Sequence, residues 1–167
     1  MSNIEASAPE AFVPALSRVY APLAPYGFAF VRICVGLIIM RHGYPKVFEG
    51  GAAGLSGFLS GKLGLEPGLA WAWLVACVEF GGGILLATGL FTRLAAAFLV
   101  AEFAVIVFVI KWANGLFAFA PKAIQPGFAG YVPGGFEFEM LLGLICLALL
   151  FSGGGRLSID RAIGREL

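Results

Sequence analysis

Arg32, Glu79 and Glu102 are ionisable side chains set deep inside long apolar runs. His42 and Lys46 follow Arg32 on the same run, and Glu137 and Glu139 open the last one. On insertion scales a charged group at the centre of a bilayer costs about 2.5–3.5 kcal/mol, so such groups turn towards partners or a cavity. Acid, base and ammonium groups gathered in an apolar setting can hold a polar headgroup by hydrogen bonds, or pass a proton. The plainer reading is a set of ion pairs that fixes the register of neighbouring helices. The residue types alone leave both open.

The elements that position these groups follow from composition. Of 167 residues, 60% are apolar and 13% charged, with 24 Gly and a formal net charge of +1. Soluble domains run at about 45–50% apolar and about 25% charged. With so few polar residues to cover a core, lipid must replace water around much of the chain. The same arithmetic excludes a disordered chain, a coiled coil and a disulfide-stapled secreted module. A near-zero net charge gives no reason to expect a nucleic-acid partner.

Residues 1–25 lack the basic head and apolar run of a secretory signal, because Glu5, Pro9, Glu10 and Pro14 interrupt them. Phe12, Val13, Leu16 and Val19 have a spacing that suits a short interfacial helix. A spanning helix needs about 20 mostly apolar residues. Segments Tyr26–Val47, Leu69–Leu90, Leu94–Trp112 and the shorter Phe136–Ser152 meet or approach that length. The expected fold is therefore all-α: a four-helix transmembrane bundle, up-down, with two longer loops on the side opposite the termini. The expected domain covers residues 26–163, between an N-terminal segment 1–25 and a tail 164–167. The loops are Gly50–Gly68 and Ala113–Gly135, whereas Phe91–Arg93 is a tight turn that forces an antiparallel pair.

If the spans alternate, Tyr44, Trp71, Trp73, Trp112 and Tyr131 fall on one side and Tyr26 on the other, as an interfacial belt requires. Orientation is not decided by the basic residues. Arg18, Arg93, Arg156, Arg161 and Arg165 on the terminal side balance Arg41, Lys46, Lys62, Lys111 and Lys122 on the loop side. The Arg cluster after the last span favours cytoplasmic termini.

At about 100° per residue, Arg32, Gly36, Ile39, Gly43 and Lys46 share one face of the first segment. Ala72, Ala76, Glu79, Gly82 and Gly83 form a small-residue face on the second, which lets a neighbouring helix bring a cation to Glu79. The expected site is an internal polar track running from Arg32 through Glu79 or Glu102 to His42, Lys46 and the glutamates of the last segment. Arg93, at the tight turn, and Arg156, after the last span, are expected to contact lipid headgroups.

Other motifs carry little chemistry. Cys34, Cys77 and Cys146 lie singly, with no C-x-x-C and no Cys/His ligand spacing, and read as small apolar residues. A single His cannot hold a haem from both faces, so neither protein-held haem nor metal is expected. Gly81–Gly83 and Gly153–Gly155 lack the Lys-Ser/Thr that would make either a phosphate loop. Ser158-Ile-Asp160 has the form of a helix start.

Taken in order, these residues resemble the DoxX family of small four-helix membrane proteins. The resemblance runs through Arg32-Ile-Cys-Val-Gly36, His42-Gly43, Lys46, Glu79-Phe-Gly-Gly-Gly83, Thr88-Gly89 and Thr92-Arg93-Leu-Ala-Ala. It closes with a glutamate opening the last segment, Glu137 or Glu139, and with Ser152-Gly-Gly-Gly-Arg-Leu-Ser-Ile-Asp160. Gly154 stands where proline is common. The resemblance covers about Tyr26 to Ile163. It implies a four-helix transmembrane bundle in a bacterial-type inner membrane and a quinone-linked redox role, as a membrane component or as partner of a soluble redox enzyme.

Two functions follow as expectations. In the first, the bundle holds a quinone headgroup between Arg32 or His42 and Glu79, with Glu102, Lys46 and Glu139 completing the site. In the second, the chain is a non-catalytic assembly or anchoring subunit of a larger complex, or a homo-oligomer, and its aromatic-rich loops meet the partner. A transporter fits less well, because no inverted repeat relates the two halves.

Overall fold

The computed structural model describes residues 12–117 and 134–165. These are helical, with no strand among them. In chain order they form α1 (Pro14–Tyr20), α2 (Gly27–Phe48), α3 (Gly51–Leu63), α4 (Gly68–Thr88), α5 (Thr92–Val105), α6 (Glu137–Ser152) and α7 (Ile159–Ala162). A π-helical turn, Ile106–Lys111, and a 3-10 turn, Trp112–Asn114, prolong α5 without a break.

Local sequence sets most of these limits. Pro14 starts α1, where a missing N–H costs nothing. Gly89 ends α4 in the left-handed region, at φ 71°, and returns its N–H to the Leu85 and Leu86 carbonyls. Ser158 caps α7 by accepting from the Arg161 N–H at 3.2 Å, so the expected start signal is a real one.

Three helices are long and apolar enough to cross a membrane: Pro14–Phe48, Gly68–Thr88 and Thr92–Asn114. The expected fourth span, α6, has only 16 residues. It extends about 24 Å at 1.5 Å per residue, less than the roughly 30 Å of a hydrocarbon core. The order of contacts nevertheless makes each packed pair antiparallel. Gly36 meets Gly83 and Ala87 while Gly43 meets Phe80, which runs α2 against α4. The turn at Gly89–Phe91 reverses α4 into α5. Arg93 reaches Leu150 and Lys111 reaches Glu139, which runs α5 against α6.

The α2–α4 contact is the closest in the fold. A Cβ on Gly36 would lie 2.5 Å from the Ala87 nitrogen, and Cβ atoms on Gly43 and Gly83 would overlap Phe80 and Met40 backbone. The buried face of α4 is Ala72, Ala76, Glu79, Gly82, Gly83 and Leu86, the small-residue face that periodicity picks out. A core of Val35, Ile39, Leu86, Leu99, Phe103, Leu142, Cys146 and Leu149 joins α2, α4, α5 and α6. Trp71, Trp73 and Trp112 are exposed on the outer surface, which suits side chains in contact with lipid.

One loop is corrected. Gly50–Gly68 is not an open connection, because Gly51–Leu63 winds into α3 and packs on the start of α4 through Ala52, Leu59 and Ala72. Most of Ala113–Gly135, with Lys122 and Tyr131, lies outside the described residues. The two ends of that loop are tied together, since Gly135 donates to Phe117 at 3.0 Å and Phe136 to Gly115 at 3.1 Å.

Candidate functional site

The close approach of α2 to α4 brings Lys46 to Glu79. Gly43 lies against the backbone of Glu79 and Phe80. One turn further along α2, the Lys46 Nζ forms an ion pair with Glu79 Oε2. Both side chains are largely shielded, at 26% and 10% exposure. Glu102, on the facing stretch of α5, completes the cluster and interacts electrostatically with both. Both Glu102 carboxyl oxygens are closed off from solvent, and the carboxyl lies within hydrogen-bonding reach of that of Glu79.

These three side chains form the polar end of a cavity of about 580 Å³. Ligand pockets commonly run to about 300–1,000 Å³ with mostly apolar walls and a few convergent polar groups. Here α3 contributes Leu55, Phe58, Leu59 and Leu63 to the wall, α4 contributes Leu74, Val75 and Val78, and α5 contributes Phe98, Ala101 and Val105. The π-helical turn adds Ile106, Val109 and Ile110. Such turns often mark functional positions, because they swing side chains out of the ordinary helical register. Phe98, Val105 and Val109 are also exposed on the outside of the fold, so the cavity opens sideways, where lipid would lie.

Arg32 is not in this cluster. It lies about 21 Å before Lys46 along α2 at 1.5 Å per residue, at the terminal end of the fold. Its side chain is fully buried. Its guanidinium donates to the carbonyls of Leu86, Ala87 (2.8 Å), Gly154 (3.1 Å) and Leu157 (2.9 Å). It thereby ties the last turn of α4 to the segment after α6. Gly89 has to be glycine beside it, since a Cβ there would lie 2.7 Å from an Arg32 nitrogen. Asp160 completes this clasp from the other side, accepting from the Phe91 N–H at 2.7 Å and the Thr92 N–H at 2.9 Å. Burial pushes the Asp160 carboxyl up, but the Thr92 and Phe91 hydrogen bonds and the Arg32 charge outweigh it and hold the group below its usual value.

Known proteins resemble this chain in sequence. The DoxX family model matches residues 27–112, a little over half of the chain. A protein of Haemophilus influenzae described as uncharacterized is 35% identical over 136 residues, covering 81% of this chain and 90% of its own. The chain belongs to the DoxX family. An uncharacterized membrane protein of Mycobacterium tuberculosis is 29% identical over 161 residues, covering 92% of this DoxX protein and 91% of its own chain. No solved structure matches. With three apolar helices of spanning length, this DoxX protein is a multi-pass membrane protein.

The remaining expected site residues fall elsewhere in the DoxX fold. His42 is exposed on α2, with its ring 6.0 Å from that of Phe138, and does not line the cavity. Glu139 pairs with Lys111 at 2.5 Å, which pins the π-helical turn to the start of α6. Glu137 is exposed. Arg93 donates to the Leu150 and Phe151 carbonyls, both at 3.0 Å, and so closes the end of α6. Arg156 is exposed, with its guanidinium 5.3 Å from the centre of the Tyr26 ring. Cys34, Cys77 and Cys146 are all free thiols. Of the expected track, the structure joins Lys46, Glu79 and Glu102 in one place, sets Glu139 in a second beside Lys111, and leaves Arg32 in a third. Asp160 and Lys111 are the residues that the reading by face and depth misses. Their partners are a backbone turn and a helix start, and no apolar period marks either.

Proposed function

We propose that this DoxX protein is a quinone-linked component of a bacterial inner membrane, working with a redox enzyme, and that the Lys46–Glu79–Glu102 cavity receives the quinone headgroup. In this reading α2, α4, α5 and the short α6 cross as an up-down bundle, with both termini cytoplasmic. The observation that carries it is an apolar cavity, open sideways, that ends on buried ionic groups.

The residues present suit such a group. Lys46 has donors for a carbonyl oxygen, the two carboxyls have acceptors for a hydroxyl, and the Leu, Val and Phe walls match an isoprenoid tail. When bound, the quinone would supply the electron-carrying chemistry. The protein's own part is to orient the ring, exclude water and hold a proton at the Glu102 or Glu79 carboxyl. Of the two loops that motivate the assembly-subunit alternative, Gly50–Gly68 is taken up largely by α3, which packs on α4.

The test is to purify the full chain from its native membrane and assay extracted lipid for quinone. Wild type is expected to retain quinone, and Glu79→Gln with Lys46→Met to retain at least about tenfold less, the loss of one charge-assisted hydrogen bond. A folded wild-type protein with no quinone, isolated together with larger companions, would instead favour the assembly role.

A further inference from the structure

We infer that the segment after α6, residues 153–165, forms a face that binds anionic phospholipid of the leaflet on the terminal side. This holds whatever the cavity contains. The segment folds back over the turn between α4 and α5, where the Asp160 N–H donates to the Gly89 carbonyl at 2.9 Å and the Asp160 carboxyl takes the Phe91 and Thr92 N–H groups. Ser158 and Asp160 are buried in that contact. Arg156, Leu157, Ile159, Arg161, Ile163 and Arg165 are left on the outside. Basic and apolar side chains interleaved on a docked segment suit the headgroup level of a bilayer, with the apolar groups in the acyl boundary and the guanidinium groups at the phosphates.

The backbone agrees with that setting. Leu157 at φ 60° and Phe91 at φ 49° lie in the left-handed region, which is costly for large side chains, and both are exposed. Arg32 holds Leu157 there through its carbonyl at 2.9 Å, and Asp160 holds Phe91 through its N–H at 2.7 Å. Water around these side chains would add to the cost, whereas an acyl boundary removes that addition.

Charge decides the occupant. Arg156, Arg161 and Arg165 have no acidic partner among the described residues, and Arg156 rests on the Tyr26 ring. The one carboxyl described at this end, Asp160, is buried in the clasp. The loop end differs. Lys46 and Lys111 are committed to Glu79 and Glu139, and exposed Arg41 and Lys62 are accompanied by exposed Glu49, Glu66 and Glu137. The balance of basic residues in the sequence is therefore tipped by the fold, which leaves the uncompensated positive charge at the terminal end. An arginine fork matches the oxygens of a phosphodiester, so the fitting occupant is a phospholipid with a net negative headgroup.

The test titrates the full chain in detergent micelles with phosphatidylglycerol or with phosphatidylcholine of the same acyl chains, and reads bound lipid by native mass spectrometry. An arginine facing an anionic headgroup is worth about fivefold in affinity. Wild type is therefore expected to bind phosphatidylglycerol at least about tenfold more tightly than phosphatidylcholine. The triple variant Arg156→Gln, Arg161→Gln, Arg165→Gln is expected to lose most of that preference and to keep wild-type helical circular dichroism, because these side chains are exposed. Arg161→Gln alone is expected to lower the preference about fivefold, which keeps the test should the triple variant fail to fold. Arg41→Gln with Lys62→Gln, at the loop end, is expected to leave it unchanged. Equal binding of the two lipids by wild type overturns the inference and leaves this face to an acidic protein partner. A triple variant that keeps the preference, or a loop-end variant that removes it, also overturns the inference by placing the lipid elsewhere.

Discussion

Replacing Arg32 with Met separates a clasp from a ligand group. The side chain is buried and meets four carbonyls, those of Leu86, Ala87, Gly154 and Leu157. The Ala87 and Leu157 bonds are only part-buried, and water can take the place of the donor there. The Leu86 and Gly154 bonds are buried. An orphaned buried acceptor costs about 1–3 kcal/mol, so losing two donors removes about 2–6 kcal/mol of stability. That is a large share of the roughly 5–15 kcal/mol typical of a folded domain. Asp160 also loses its neighbouring positive charge. The assay is reversible unfolding in mixed micelles, followed by helical circular dichroism, with ligand retention measured on the folded fraction. Arg32→Met is expected to unfold at much lower denaturant while the folded fraction keeps its ligand, and Arg32→Lys to recover part of the loss. A variant as stable as wild type that no longer holds ligand would refute the clasp and return Arg32 to the binding site.

Other perturbations follow from the same geometry. Gly43→Val puts a branched side chain against Phe80 backbone, and overpacking of this kind costs about 1–3 kcal/mol; thermal unfolding should show it, with ligand retention falling because Lys46 moves off Glu79. Asp160→Asn tests the cap at the start of α5. The folded-state value of Asp160 is lowered, so its contribution is complete above the ordinary Asp value of about 3.9 and is lost as pH falls through the lower folded value. The variant should be less stable than wild type near neutrality, and the gap should close in acid. Lys111→Met strands a shielded Glu139 and should cost about 1–3 kcal/mol, between the values for exposed and buried pairs. Lys111→Met with Glu139→Gln should recover much of that in the same unfolding assay.

Much of the fold is legible because lipid solvation leaves a simple signature. Apolar runs of helical length mark α2, α4 and α5, and the spacing Ala72, Ala76, Glu79, Gly82, Gly83 marks the face of α4 that meets α2. That face also fixes the Lys46–Glu79 pair, since Gly43 and Lys46 lie one turn apart on the matching face. Arg32 shares the face but not the depth. Its partners are backbone carbonyls at a helix end and in a distant turn, and carbonyls have no residue type to read. The only trace is the glycine at position 89, whose missing Cβ makes room for the guanidinium. The helix α3 is hidden by its glycines, which read as loop, although Ala52, Leu55, Leu59 and Leu63 keep a helical spacing. The cavity follows from α3 and from the π-helical turn together, and a one-residue change in helical register has no apolar period of its own.

The central claim is that the space beside Glu79 and Glu102 belongs to the head of an amphipathic ligand. An experimental density map of the full chain, extracted with its native lipid into nanodiscs, tests it most directly. The account predicts a compact aromatic head within hydrogen-bond distance of Lys46, with a tail leaving between Phe98 and Val109. Density for acyl chains alone along those walls, with no head near Lys46, would contradict it.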